Sequence, residues 1–463
     1  MTPDIIIMGA GPAGLAAAVE ARAHGASVLL LDEGAGPGGR VWQAIEQRPA
    51  KNRDDDLAQR VVRDFRGCGA DARFGATVWA IEGATVFWSE AGAARSATGG
   101  TIIVATGTTE RPMPIPGWTL PGVMTVGAAQ ILLKTAGLAP QGRVWIAGQG
   151  PLLLLYAVQA LEAGGAIAGI LDVGRPGNAA PHLLGALASP SALAKGLAWR
   201  QRIRRAGVPW LIAEGLEATG DGRLERIGFR TGGAARVEDA DTLLLHDGVI
   251  PSVQISRALG CAHEWDAAQA CWRPVTDAWG QSSAPGVAIA GDGAGVGGWE
   301  AAMLSGRIAA LGALARLGII GVAARDRAAR PLLVQRRRRM ALRPLLDALY
   351  PPLRRPIADS TVVCRCEEAT AGQVRAAVGL GCLGLNQLKA FTRAGMGPCQ
   401  GRMCGPTLAA VVAEARGVEI ETVDALRLRF PTKPLTVGEL AALDQAALDQ
   451  AALDGAALDG AGQ

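Results

Sequence analysis

The chain has 463 residues, 46 Lys and Arg against 42 Asp and Glu, a net charge of +4, and 63 glycines in a sequence that is 49% apolar. That length divides into several domains with real cores, and so mild a positive balance argues against a nucleic-acid partner, which needs a clustered basic excess. The opening MTPDIIIMGAGPAGL has no basic segment, detached apolar stretch or small-residue cleavage site, so a cytoplasmic protein is expected.

Residues 4–33 read as strand, glycine turn, helix and strand, and residues 101–107 as an apolar strand ending in Thr106-Gly107. The greasiest stretch, 144–173, has the length of a membrane span. Gly148, Gly150, Gly164 and Gly165 interrupt it and Gln149, Gln159 and Glu162 are polar, so a buried βαβ unit is expected and no transmembrane segment. Residues 287–292 form a further strand ending in Gly291-Asp292, followed by an alanine-rich helix from 299 to 316. Strands alternate with helices, which sets the class as α/β. Residues 331–360 are rich in Arg and Pro, including Arg336–Arg339, and read as a connector with a solvated basic face. The chain closes on AALDQ, AALDQ, AALDG, AALDG; a period of five spreads the leucines around a helix, so 430–463 is expected to be a low-complexity tail.

Gly9-Ala10-Gly11-Pro12-Ala13-Gly14 has the setting that a dinucleotide fingerprint needs, a strand before and a helix after. The first glycine makes the turn, the second lets the backbone approach a pyrophosphate, the third lets helix and strand pack closely, and the helix N-terminus faces the phosphates. Asp32 lies 23 residues after Gly9, at the spacing of an acid that binds a ribose diol, and Glu33 follows it. Asp32 is favoured because it closes the strand.

Gly148-Gln149-Gly150-Pro151-Leu152-Leu153 looks like a second fingerprint with Leu153 in place of the third glycine. A bulky side chain there is expected to push helix and strand apart or tilt the helix off the phosphates. Asp172 and Arg175 remain available for a ribose and a phosphate. Three readings stay open: an NAD(P)H site with altered packing, a nucleotide site without hydride chemistry, and an inherited fold element. Cys68, Cys261 and Cys271 form no CxxC, which excludes disulfide exchange; with Cys382 they are expected to be core thiols.

Cys364-Arg365-Cys366 and, further on, Cys399 and Cys404 supply four thiolates, enough for a zinc ion or an iron–sulfur cluster. A single spacer between paired cysteines is unusual for zinc, which favours [2Fe-2S]. Thr370 with Gln373 reads as a capping box opening a helix just after Cys366, and Pro406-Thr407 opens another after Cys404, so two positive helix ends face the sulfurs. Lys389, Arg393 and Arg402 add charge. The segment GMGPCQGRMCG frees backbone amides for hydrogen bonds to sulfur.

Gly38-Gly39-Arg40, Ala105-Thr106-Gly107 and Gly291-Asp292, taken with the first fingerprint in this order, resemble the two-dinucleotide-binding-domain flavoproteins over roughly 4–320. The resemblance implies FAD in the first site, held by Gly9, Gly11, Pro12, Ala13, Gly14, Asp32, Glu33, Gly39, Arg40, Thr106 and Gly107, with Gly291 and Asp292 reaching the ribityl or pyrophosphate oxygens. Gly148 and Gly150 would serve a second nucleotide, NAD(P) or ATP-like, if one binds. The segment VCRCEE…LKAFTRAGMGPCQGRMCG resembles the bacterioferritin-associated-ferredoxin-like [2Fe-2S] domain over roughly 361–412, with Cys364, Cys366, Cys399 and Cys404 as the ligands.

Together the two regions resemble the alpha-type subunits of heteromeric opine oxidases, hydrogen cyanide synthase and hydroxyproline or proline dehydrogenases. The fold so implied is two Rossmann-like domains, one inserted in the other: 1–120 with 275–330 for FAD, 121–274 for the second domain, 331–360 as connector, and a small helical [2Fe-2S] domain at 361–425. The function implied is that of an FAD and [2Fe-2S] electron-transfer subunit. Its partners would be an amino-acid-oxidase-like beta flavoprotein subunit that oxidises a CH–NH group, a small ferredoxin-like subunit, and a quinone or other acceptor, with FMN at a subunit interface as a further possibility and peripheral attachment to the inner membrane through partners. The rival readings are a self-contained NAD(P)H-dependent reductase and a non-enzymatic iron–sulfur docking module. No catalytic residue is identified: His24, His182, His246 and His263 are scattered and form no evident pair with a base role. Trp299 is read as core packing near the flavin.

Overall fold

The computed structural model describes residues 2–443 apart from 178, 183, 184, 186–189 and 354; the rest of the repeat tail, 444–463, lies outside the described residues. Ten strands build two large sheets. In chain order they are β1 (Ile5–Met8), β2 (Val28–Asp32), β3 (Asp71–Phe74), β4 (Thr101–Val104), β5 (Val123–Thr125), β6 (Val144–Gln149), β7 (Gly169–Asp172), β8 (Trp210–Ile212), β9 (Thr242–Asp247) and β10 (Val287–Ile289). The helices used below are α1 (Pro12–Ala23), α2 (Val126–Ala136), α3 (Pro151–Glu162), α4 (Trp299–Arg316), α5 (Val322–Met340), α6 (Ala371–Gly379), α7 (Leu385–Thr392) and α8 (Gly405–Arg416).

The first sheet has the order β10-β4-β1-β2-β3 and the second β8-β7-β6-β9-β5, and every pairing in both is parallel. Strands covered on both faces carry unbroken apolar runs. Ile5–Met8 is buried throughout, and so is Val144–Gln149. The first sheet takes its last strand, β10, from beyond the second sheet, so the second is an insertion in the first. Each sheet also carries an antiparallel three-stranded meander, at 77–98 and 214–239.

The 144–173 stretch is the expected βαβ unit, and among the described residues no helix is long and apolar enough to cross a membrane. Helix α4 is packed between α1 and α5, close enough to α1 that a Cβ on its Gly306 would lie 2.0 Å from the Ala13 carbonyl oxygen. Helix α5 packs Ala329 and Leu332 into the same core. It runs straight across residue 330, where the connector was expected to begin, because its buried stripe continues past that point. Trp299 rests against Trp42, ring centroids 5.6 Å apart, within this core.

The third unit has its own core of Val363, Val374, Leu388, Leu408 and Val412, wrapped by a two-stranded ribbon and α6–α8. After it the chain does not drift off as a low-complexity tail from 430. Phe430 packs into the first domain's apolar clusters, and Thr432, 3% exposed, donates its backbone N–H to the Trp79 carbonyl at 2.8 Å. Apolar side chains at 430 and 435 precede the repeat, and they seat this segment on the 77–98 meander.

Candidate functional site

The first crevice opens at the carboxyl ends of β1 and β4, where the strand order reverses, the usual place for a ligand in an open α/β sheet. Glycine is obligatory at both ends of the loop. A Cβ on Gly9 would lie 2.5 Å from the Ala105 oxygen, and one on Gly14 would lie 1.8 Å from the Gly9 oxygen. Yet a Cβ on Gly11 or on Gly107 would meet nothing within 4 Å. The loop is thus tight against the protein and open toward the crevice, which fits a cradle for a dinucleotide pyrophosphate. Helix α1 starts at Pro12 with Gly11 as an N-cap that has no side chain, leaving its first amides free for an anion. Gly39 closes the cradle from behind: its Cβ would be 2.8 Å from Gly11 Cα.

The two strand-end acids divide the work. Asp32 accepts the Ala10 amide at 2.5 Å and the Gly34 amide at 2.6 Å, so it ties the loop to the strand end, and burial pushes its carboxyl above the ordinary range against those amides. Glu33 is the more exposed. It accepts Lys433 Nζ at 2.7 Å and Arg40 at 3.4 Å. Burial acts to raise Glu33, but the Lys433 hydrogen bond and the charges of Lys433, Arg40 and Arg402 outweigh it and hold the carboxyl low. At the far side Asp292 accepts the Gly297 and Gly298 amides through Oδ1, each at 3.0 Å, and Oδ2 makes no hydrogen bond among the described residues. Thr106 Oγ1 donates to the Ser252 carbonyl at 3.4 Å. Nothing in the sequence singled out Lys433 or Arg402 as neighbours of Glu33, since both come from the far end of the chain.

The second loop departs from the first in its backbone. Gly150 has φ +104°, where Gly11 has φ −75°. Gly148 remains obligatory, with its Cβ position 1.9 Å from the His246 oxygen. Leu153 is 2% exposed and packs with Val126, Ala129, Ile146 and Leu244, so its bulk is absorbed between α3, α2 and the sheet. Asp172 is engaged by the Gly174 amide at 3.0 Å and by Trp210 Nε1 at 3.2 Å, and Arg175 pairs with Glu214 at 2.6 Å. Beside the loop lies a buried pair that sequence spacing hid: His246 Nδ1 is 2.5 Å from Glu110 Oε1, and Glu110 Oε2 accepts the Gly127 amide at 2.8 Å.

The four cysteines of the third unit converge. Cys366 and Cys399 Sγ are 3.9 Å apart, and the Cys404 thiol is in hydrogen-bond contact with both Cys364 and Cys399. That contact, with help from backbone amides, brings Cys364 down to about 6 and Cys399 down to about 5, and drives Cys404 up. The amides are those of Gly395, Glu367 and Cys366 for Cys364, and of Met403 and Gly401 for Cys399. Left-handed backbone at Glu368, Arg393 and Gln400 turns the loops inward, and a Cβ on Gly397 would lie 2.2 Å from Cys366 Cβ.

The capping box at Thr370 and Gln373 is formed, and α8 begins at Gly405 with Cys404 as its N-cap. Of the three expected cations, Arg393 is paired with Glu367 at 2.9 Å and Lys389 donates to the Arg427 carbonyl at 3.4 Å; only Arg402 turns toward the first domain. A thiolate set lined by donated amides suits a [2Fe-2S] rhomb.

Residues 3–306 match the pyridine nucleotide-disulphide oxidoreductase family, and residues 362–414 match the BFD-like [2Fe-2S] binding domain. The chain is 42% identical over 465 residues to a subunit of the opine oxidase of Agrobacterium tumefaciens, covering 95% of this chain and 92% of that one. It is 34% identical to hydrogen cyanide synthase subunit HcnB of Pseudomonas aeruginosa, covering 93% and 96%. The fold is shared with L-proline dehydrogenase from P. horikoshii at a TM-score of 0.70 and 19% identity, over 95% of this chain and 79% of that one. The chain therefore belongs to the pyridine nucleotide-disulphide oxidoreductase family, beside these opine oxidase and hydrogen cyanide synthase relatives, and is an FAD-dependent oxidoreductase subunit with a [2Fe-2S] domain.

Proposed function

We propose that this chain is the electron-relay subunit of a heteromeric dehydrogenase or oxidase acting on the CH–NH group of an amino acid or opine. The observation that carries this is the union, on one chain, of an open dinucleotide cradle and a four-cysteine site. FAD accepts a hydride's two electrons and a [2Fe-2S] cluster passes one at a time, so the pair divides a two-electron oxidation into single steps. Gly9, Gly11, Pro12, Ala13 and Gly14 present the loop and helix amides to the pyrophosphate, with Gly39 and Arg40 behind them. Glu33, held ionised by Lys433 and Arg40, faces the ribose diol, while Asp32 holds the loop in shape. Asp292 offers Oδ2 to the ribityl chain, and Thr106 and Gly107 line the opposite wall. Cys364, Cys366, Cys399 and Cys404 hold the cluster.

The domain division is proposed as 1–120 with 275–330 for FAD, 121–274 for the second domain and 361–425 for the cluster. The subunit names of the relatives support a heteromeric complex; in this reading the amine is oxidised on an amino-acid-oxidase-like partner flavoprotein, and a quinone or other acceptor and a small ferredoxin-like subunit complete the relay, in the cytoplasm. The test is to purify the chain alone and together with an amino-acid-oxidase-like flavoprotein subunit from the same organism. Alone it should hold FAD and the cluster yet leave an amine untouched; with the partner, an opine or amino acid should bleach both chromophores. Amine oxidation by the isolated chain would overturn the reading.

A further inference from the structure

The switch point of the second sheet lies between β6 and β9, and in an open α/β sheet a dinucleotide crosses the carboxyl ends of the strands there. Two buried side chains stand at those ends: Gln149, 5% exposed, closes β6, and Asp247, 6% exposed, closes β9. They are bonded to each other, Gln149 Nε2 to Asp247 Oδ1 at 3.3 Å. Both also hold the connector. Gln149 Nε2 donates to the Pro351 carbonyl, and Asp247 Oδ1 accepts the Leu353 amide at 3.1 Å. Leu353 then packs into the core cluster of Leu171, Ala213 and Leu216, and Arg111 stands 3.9 Å from the other Asp247 oxygen. In the first sheet the residues equivalent to Gln149 and Asp247 are Ala10 and Thr106, whose short side chains bind no connector; Thr106 Oγ1 donates instead to the Ser252 carbonyl at 3.4 Å.

We infer that Gln149, Asp247 and Leu353 make the second Rossmann domain reject nicotinamide dinucleotides, by seating the chain's own connector across the switch point where the nicotinamide half would lie. At the end of β7 the connector makes a separate contact, the Gly177 amide to the Ala348 carbonyl at 2.8 Å, which involves neither Gln149 nor Asp247. Releasing the Gln149 and Asp247 bonds therefore opens the switch point, the half that carries the hydride, and leaves the contact beside β7 in place. The exclusion deepens the relay reading, since it removes NAD(P)H as a source of electrons, but its test bears on the second domain only and needs no partner subunit.

The experiment uses the full chain with its cofactors bound and two probes, NADH and ADP, by equilibrium dialysis. Gln149→Ala removes both the Pro351 and the Asp247 bonds. It should tighten NADH by about tenfold or more, a difference well outside measurement error, while ADP changes by less than about threefold. Hydrogen exchange of residues 350–353 should rise in the same variant. Leu353→Ala, which loosens the connector from its other anchor, should move NADH in the same direction. In the wild type, anaerobic NADH or NADPH should leave the flavin oxidised while dithionite bleaches it. NADH affinity unchanged in both variants, or flavin bleached by NADH in the wild type, overturns the inference. An equal gain for ADP also overturns it, because the effect would then be a general opening of the domain.

Discussion

Cys366 and Cys399 face each other at 3.9 Å, and the Cys404 thiol contacts Cys364 and Cys399, so the four sulfurs proposed as cluster ligands lie together. Cys399→Ser should remove the visible iron–sulfur bands and half or more of the bound iron while FAD stays bound; zinc recovered in place of iron would sink the assignment. A second residue-scale test concerns His263, whose ring is pushed down to about 4 by burial, aided by Arg257. Its folded value lies below the ordinary 6.5, so the unfolded chain binds the extra proton first and stability is lost as the pH falls from about 6.5 to 4. Discounted for its partial exposure, the loss is about 2 kcal/mol. His263→Gln should abolish that part of the pH dependence in urea unfolding at pH 7 and pH 4.5. The glycines and cysteines were legible because each does one thing that no other residue can. Lys433 and Asp247 were not, because an ion pair or a connector bond between residues a hundred or more positions apart leaves no local pattern.

Elements whose ends are set by ligand loops are the ones that shifted. The strand read as 101–107 pairs only over Thr101–Val104, and that read as 287–292 only over Val287–Ile289, because Thr106-Gly107 and Gly291-Asp292 leave the sheet to form the crevice walls. Helix α1 shows why its third glycine matters: Gly14→Val would drive a side chain into the Gly9 carbonyl, 1.8 Å from even its first carbon. Expected are a loss of about 2 kcal/mol or more in urea unfolding and purification without flavin colour. Leu153, in the same place of the second loop, is accommodated where Gly150 turns to positive φ and its side chain joins the cluster that holds Val126 and Ala129 of α2; periodicity shows the missing glycine but not the backbone that compensates. The capping box at Thr370 was readable in full, and Thr370→Ala should lower the stability of the cluster domain by about 1 kcal/mol in thermal unfolding.

Across the whole molecule, the alternation of strands and helices and the two fingerprints were enough to place two Rossmann-like sheets, since parallel sheets need long apolar strands and crossover helices. The return of residues 430–436 to the first domain was not readable, because it rests on a few contacts in a stretch next to a repeat. It binds the units together: Gln400, between two cluster cysteines, donates to the Pro431 carbonyl at 2.8 Å, and Lys433 reaches Glu33. A chain ending at Arg429 should therefore melt several degrees lower and release FAD faster than one ending at residue 443, which should match the full chain; equal melting of all three would show that the returning segment contributes nothing. The interleaved order of the first sheet has one more consequence, for synthesis on the ribosome. Strand β4 lies exposed along one edge until β10 joins it, and β10 is made only after the entire second domain. The nascent chain must therefore carry an unfinished, apolar sheet through some 180 residues of translation, about the span from Val104 to Val287, so the flavin pocket closes late and a chaperone has its longest opportunity in that interval.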